Sequence, residues 1–239
     1  MKTTSFKLLL IFAIVGAASY VHAQDVIRFY QGGKVGYKNK ATGEVVVQPI
    51  YTAGSEMMAD KTALVLEGRK RGFINDKGEV IIPFMYDDAS IFSDGLARVM
   101  KDGKHGYINM KNETVIPFQY TFADDFKNGM ARVQKDGKYG WINTTGKEVI
   151  PLQYALAYNF GDGLAPVKND EGKWGYINPQ GQYVLQPKFA DAKPFNNGEA
   201  LVKNGEEYIF INTTGKKLRE MKNMEEEERE RERGGSNKR

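Results

Sequence analysis

KWGYIN, residues 173–178, stands in the last third of this 239-residue chain, and reading it settles how the rest is read. Near copies precede it: KYGWIN at 138–143, KHGYIN at 104–109, KRGFIN at 70–75 and KVGYKN at 34–39. The aromatic that follows each downstream proline keeps the same beat, with Tyr51, Tyr86, Tyr120, Tyr154 and Phe189 falling 35, 34, 34 and 35 apart. Gly95, Gly129, Gly163 and Gly198 repeat it at 34, 34 and 35. A fixed period of this length marks a stacked or radial repeat architecture. About five units fill residues 25–202, and a partial sixth runs from Leu201 to Leu218.

The turns within a unit are explicit. Asp136-Gly137 separates two segments of alternating pattern, Met130–Lys135 and Lys138–Asn143, and Asp102-Gly103 does the same one unit earlier. Asp-Gly in that setting is a two-residue hairpin signal, because a type I′ turn needs positive φ at both central residues. A second turn, Asn143-Thr144-Thr145-Gly146, leads into the apolar Val149-Ile150. Pro151 lacks an N–H to donate, so the third strand ends there or lies on an edge. The hairpin fixes a register. Val133 faces Gly140 and Ala131 faces Ile142 on one side, while Arg132 faces Trp141 and Gln134 faces Tyr139 on the other. The glycine between two aromatics is therefore a packing residue, expected to admit a neighbouring repeat's backbone.

These patterns predict an all-β fold, an open solenoid of about five to six stacked three-stranded β-hairpin repeats with a period of about 34–35 residues. The alternative is a five-bladed β-propeller, which requires Tyr154–Phe160 and its equivalents to be true fourth strands. KWGYIN, KYGWIN and the recurring G-L-A-x-V and V-I-P-x-x-Y resemble the WG-repeat family of bacterial proteins, also called KWG repeats, over residues 25–218. The resemblance implies an exported or surface-associated β-repeat protein and implies no particular ligand or reaction. The first copy departs from the pattern with Lys38 in place of isoleucine, and the sixth has Ile209 in place of glycine. Those two copies read as caps whose outer sides meet water.

Residues 1–23 read as a signal peptide: Lys2 and Lys7, an apolar run from Leu8 to Ala18, then Val21-His22-Ala23 before Gln24. Residues 24–219 form the repeat domain, and 220–239 a charged tail, helical or disordered, with Glu225→Arg229 and Glu227→Arg231 spaced as i,i+4 pairs. Without the leader, 32 basic residues meet 30 acidic ones, a near-balance with no electrostatic footprint for nucleic acid. Zero cysteines exclude disulfide staples and thiolate chemistry. No stretch beyond Ala18 is apolar for long enough to span a bilayer.

Little catalytic chemistry is written here. Beyond the leader His105 is the only histidine, in a column otherwise held by Val35, Arg71, Tyr139 and Trp174. A column that varies so freely between copies does not suit a catalytic base, and no nucleophile stands at a partnered spacing. The Asp/Asn-Gly pairs at 94–95, 128–129, 162–163 and 197–198 read as turns rather than Ca²⁺ ligands, and neither a metal nor a cofactor is expected. The expectation is a monomeric, exported, non-enzymatic scaffold that engages a protein of the cell envelope. The alternative is a module for carbohydrate or a choline-like ligand, using rings on the repeat face. In that case Trp174 and Tyr176 carry the binding, with Tyr139 and Trp141 one repeat below. Pro166 lies across from Tyr176, which lacks the cation set opposite Trp141 and Tyr107, so Tyr176 is expected to be barer. Trp174→Ala is then expected to abolish binding at little cost in stability.

Overall fold

The computed structural model of the chain describes residues 26–221; the leader at 1–23 and nearly all of the charged tail lie outside the described residues. Within them the fold is all-β. Six antiparallel sheets follow one another in sequence, and none closes into a barrel. The first has three strands, Val26–Gln31, Lys34–Asn39 and Val45–Tyr51; the other five have four. The fourth sheet is representative, with Phe122–Ala123, Met130–Lys135, Lys138–Asn143 and Glu148–Tyr154 in that order. The repeat thus carries one strand more than the three expected, a two-residue strand at the start of each sheet after the first. The segment after Tyr154 contributes only Leu156–Ala157, and it pairs with the hairpin of the next unit. The last strand, Lys217–Glu220, extends the repeat domain one residue into the stretch assigned to the tail.

The hairpin register is the one the Asp-Gly turns require. Asp136 and Gly137 take φ of 51° and 77°, and the strands pair Val133 with Gly140, Ala131 with Ile142 and Arg132 with Trp141. The asparagine at the end of the next-to-last strand of each sheet makes the next turn. Asn143 Oδ1 accepts from the N–H groups of Thr145 and Lys147 at 3.1 and 3.0 Å, and Asn75, Asn109, Asn178 and Asn212 repeat the pattern. A side chain that satisfies two turn amides accounts for the N of KWGYIN.

The glycine has a different neighbour from the one anticipated. A β-carbon on Gly140 would lie 2.6 Å from the Ile150 carbonyl oxygen and 2.7 Å from that of Pro151, in the last strand of its own sheet rather than a stacked repeat. Pairing slips there: Tyr139 faces Tyr154 and Trp141 faces Ile150, so the longer strand bulges over the glycine. Gly36, Gly72, Gly106 and Gly175 meet the same obstruction. In the sixth sheet Lys217–Glu220 is too short to bulge there, and Ile209 occupies the position.

Five hydrophobic clusters join the six sheets, each linking one sheet to the next: first to second, second to third, and so on to the sixth. A closed ring of six would need a sixth such interface. Among the described residues there is none, so the stack is open. In four of the five interfaces the repeated aromatic packs on a phenylalanine of the following loop: Phe73 on Phe92 at 4.9 Å between centroids, Tyr107 on Phe126 at 4.7 Å, Trp141 on Phe160 at 5.3 Å and Tyr176 on Phe195 at 4.8 Å; the first has Met57 in the phenylalanine's place. Where that aromatic is tyrosine its hydroxyl also donates forward, from Tyr37 to Ser55 O at 2.8 Å, Tyr107 to Asp124 O at 2.6 Å and Tyr176 to Lys193 O at 2.8 Å. At the free ends cations cover the apolar faces. The Lys38 ammonium lies 5.6 Å from the centre of the Phe29 ring, and the Arg219 guanidinium 4.0 Å from that of Phe210.

Candidate functional site

The four rings expected to bind do not form a surface. Tyr176 is 0% exposed and Trp174 3%, both inside the cluster between the fifth and sixth sheets. Trp174 stacks on Tyr158 with centroids 5.2 Å apart and planes 7° from parallel. Burial pushes the phenol pKa of Tyr176 up, and its hydroxyl is held by Lys193. Lacking a cation opposite therefore did not make Tyr176 barer: the next sheet covers it. Trp141 is 2% exposed, and Tyr139 is half-buried against Phe122. The Arg132 guanidinium sits 5.0 Å over Phe122 and 5.9 Å over Tyr139 instead of over Trp141.

What the repeats leave open is a cleft of about 760 Å³ where the fourth sheet meets the fifth. Phe126, Met130, Trp141, Phe160 and Pro179 form its apolar walls, and Ser93, Asp124, Asp125, Lys127, Asn128, Arg132, Asn159 and Gly163 its polar part. The tyrosine hydroxyl bond from Tyr107 to Asp124 O fixes the loop along one side. Arg132 Nε donates to Asp124 Oδ2 at 2.9 Å, and a second nitrogen of the same guanidinium donates to Ala157 O in the fifth sheet. Arg98 Nε donates to Asp125 Oδ1 at 3.1 Å, and its Nη1 to Asp88 Oδ2 at 2.9 Å. Burial works against the Asp88 charge, but the bond from Arg98 and the nearby Arg71 hold its carboxyl below the usual range. Beside them burial and the Arg98 charge lower the pKa of His105, whose Nδ1 lies 3.4 Å from Arg98 Nη1.

At two of the five junctions between sheets, side chains of one turn tie it to the next. Between the third and fourth sheets Ser93 Oγ donates to Phe126 O at 2.6 Å, and Asp94 Oδ2 accepts from Gly129 N at 2.7 Å. Between the fifth and sixth, Asp162 Oδ2 accepts from Gly198 N at 2.7 Å, and Gly161 lets Phe195 O approach so closely that a β-carbon would lie 2.1 Å from it. The fourth sheet carries Lys127 and Asn128 at these two positions, and neither tie forms among the described residues. Reading the period alone passed over Lys127 and Asn159 and took Asn128 as a turn residue only. The signal that could have found them is the alternation Asp94, Asn128, Asp162, Asn197 in one turn column.

A six-sheet array built on one recurring unit is a β-repeat protein. The WG containing repeat family matches residues 72–104, 106–139, 139–174 and 174–208, more than half the chain, and the chain belongs to that family. Among solved structures it is similar to the crystal structure of the eukaryotic initiation factor, at 10% identity and a TM-score of 0.50 over 84% of this chain and 63% of that one. It is also similar to BamB from Moraxella catarrhalis (11% identity, TM-score 0.44, 82% and 69% covered). A third is the computationally designed Ika8 protein (13%, 0.42, 79% and 68%). No curated protein matches the sequence. No helix of the described residues is long and apolar enough to cross a membrane.

Proposed function

We propose that this WG-repeat chain is an exported, non-enzymatic scaffold that engages a protein of the cell envelope. The observation that carries the reading is where the rings go. They are consumed in the interfaces between sheets, so a sugar or a quaternary ammonium meets no ladder of open ring faces. What recurs at the surface is aliphatic: Val46, Val115, Val149 and Val184 stand exposed at one position of the last strand in the first, third, fourth and fifth sheets, with half-buried Ile81 there in the second. One apolar residue per sheet along a series of edge strands suits an extended protein surface better than a small molecule. The prolines in those same strands withhold N–H groups from strand addition, which favours side-chain contact over augmentation of the sheet. Export is inferred from the residue order of 1–23. The acids of the cleft that pair with Arg98 and Arg132 serve the fold, which supports a non-enzymatic role. The test is recovery of partners by the tagged full chain from the native envelope, beside a Val115→Lys/Val149→Lys/Val184→Lys variant. Loss of specific partners in the variant, at unchanged melting temperature and without competition by added polysaccharide, is expected. Equal recovery by both chains, or competition by sugar, would refute the reading.

A further inference from the structure

We propose that the cleft between the fourth and fifth sheets takes the C-terminal carboxylate of a partner polypeptide. This rests on the reading above that the partner is a protein. The two tied junctions, third to fourth sheet and fifth to sixth, show what the amide of this turn binds. Gly129 N–H and Gly198 N–H each donate to an aspartate carboxylate of the preceding repeat at 2.7 Å. Gly163 occupies the same turn, with φ of 47° and 80° across Asp162-Gly163 against 54° and 78° across Asn128-Gly129. The preceding repeat offers it Asn128, a neutral amide, and the two are not bonded. A carboxylate from outside can accept from Gly163 N–H as Asp94 and Asp162 accept from the sibling turns. Backbone amides of such turns are recurrent anion acceptor sites.

The charge around that amide fits. Lys127 is exposed on the cleft and, among the described residues, has no ion-pair partner. The nearest acids, Asp124 and Asp125, are each bonded to an arginine, so they do not present unopposed negative charge to an arriving carboxylate. The rest of the cleft matches the end of a chain. Half-buried Met130 and Phe160 can receive an apolar last side chain, and Asn128 and Asn159 carry amides suited to the last peptide group. The volume of about 760 Å³ lies within the range of ligand pockets, roughly 300–1,000 Å³. A sugar acid shares the carboxylate but needs a flat ring face to lie on, and Trp141 and Phe126, each 2% exposed, do not offer one.

The experiment is calorimetric titration of the full chain with acetyl-Gly-Leu-Phe as the free acid, with the same peptide as its C-terminal amide, and with glucuronate. The free acid is expected to bind, and the amide at least about tenfold more weakly, since hydrogen bonds to a charged group are the strong ones. Lys127→Ala and Asn128→Asp are each expected to weaken the free acid by a similar factor. Asn128→Asp should also raise the melting temperature, because it places the chain's own carboxylate against Gly163 N–H. No binding of the free acid, equal affinity for acid and amide, unchanged affinity in Asn128→Asp, or tighter binding of glucuronate would each overturn the proposal. If Asn128→Asp still recovers every envelope partner that the valine variant loses, and the free acid does not bind, the cleft proposal falls while the scaffold reading stands.

Discussion

Gly140→Ala isolates the reason for the glycine in the repeated motif. The new β-carbon would lie 2.6 Å from Ile150 O, 2.7 Å from Pro151 O and 2.8 Å from Leu152 N, against an ordinary contact of at least 3.4 Å. The bulged strand must therefore retreat by roughly 0.6–0.8 Å, and every obstructing atom is backbone, so no rotamer change relieves it. Overpacking of this kind costs about 1–3 kcal/mol. Alanine restricts the unfolded chain and recovers about 0.4–1 kcal/mol, because φ at Gly140 is not in the left-handed region. The net expectation is a loss of roughly 1–2 kcal/mol, read in urea as a midpoint about 0.5–1 M lower at unchanged slope. Gly175→Ala, whose nearest obstruction is Leu185 O at 2.6 Å, should behave alike. A midpoint that stays put or rises in both variants would refute the bulge argument, leaving the glycines without a packing role.

Two further outcomes follow from the same interfaces. Trp174→Ala, instead of sparing stability, should cost about 3–5 kcal/mol in equilibrium unfolding, because it empties a buried site stacked on Tyr158; a loss below about 1 kcal/mol would return the ring to the surface. His105 has its pKa lowered by burial and by Arg98, so the folded chain prefers it neutral. Its contribution is complete above the unfolded value of about 6.5 and is lost as pH falls through the lower folded one. Denaturation midpoints should decline between about pH 6.5 and 5 in the native chain and hold flatter in His105→Gln; identical pH profiles would refute the role.

Most of the fold is legible in the sequence because it is local. Asp136-Gly137 dictates a turn, the turn dictates the register, and the register places Ala131, Val133 and Ile142 on one side of the sheet. The site is not legible in the same way. Which of two faces is covered depends on a sheet 34 residues away, so the rings at Trp174 and Tyr176 read as bare although the next repeat closes over them. Of Tyr154–Phe160, open in the sequence as a possible fourth strand, only Leu156–Ala157 pairs; it is too short to show a period and is defined only by its pairing with Lys168 and Val167. The cleft was hidden for the opposite reason. A search for agreement between copies discards Lys127 and Asn128, where disagreement with Ser93, Asp94, Gly161 and Asp162 is the whole signal.

The forward reach of each buried tyrosine bears on how the array comes together. Tyr37 bonds 18 residues ahead, Tyr107 and Tyr176 each 17, so the chain segment closed by each tie is nearly the same length wherever it lies. Loop-closure entropy grows only with the logarithm of segment length, and here it is met in equal small instalments rather than once for the full span. Nothing among the described residues asks the first sheet to find the sixth. Assembly can start at whichever pair of neighbours orders first and advance toward both ends, each completed sheet serving as the template on which the next one condenses.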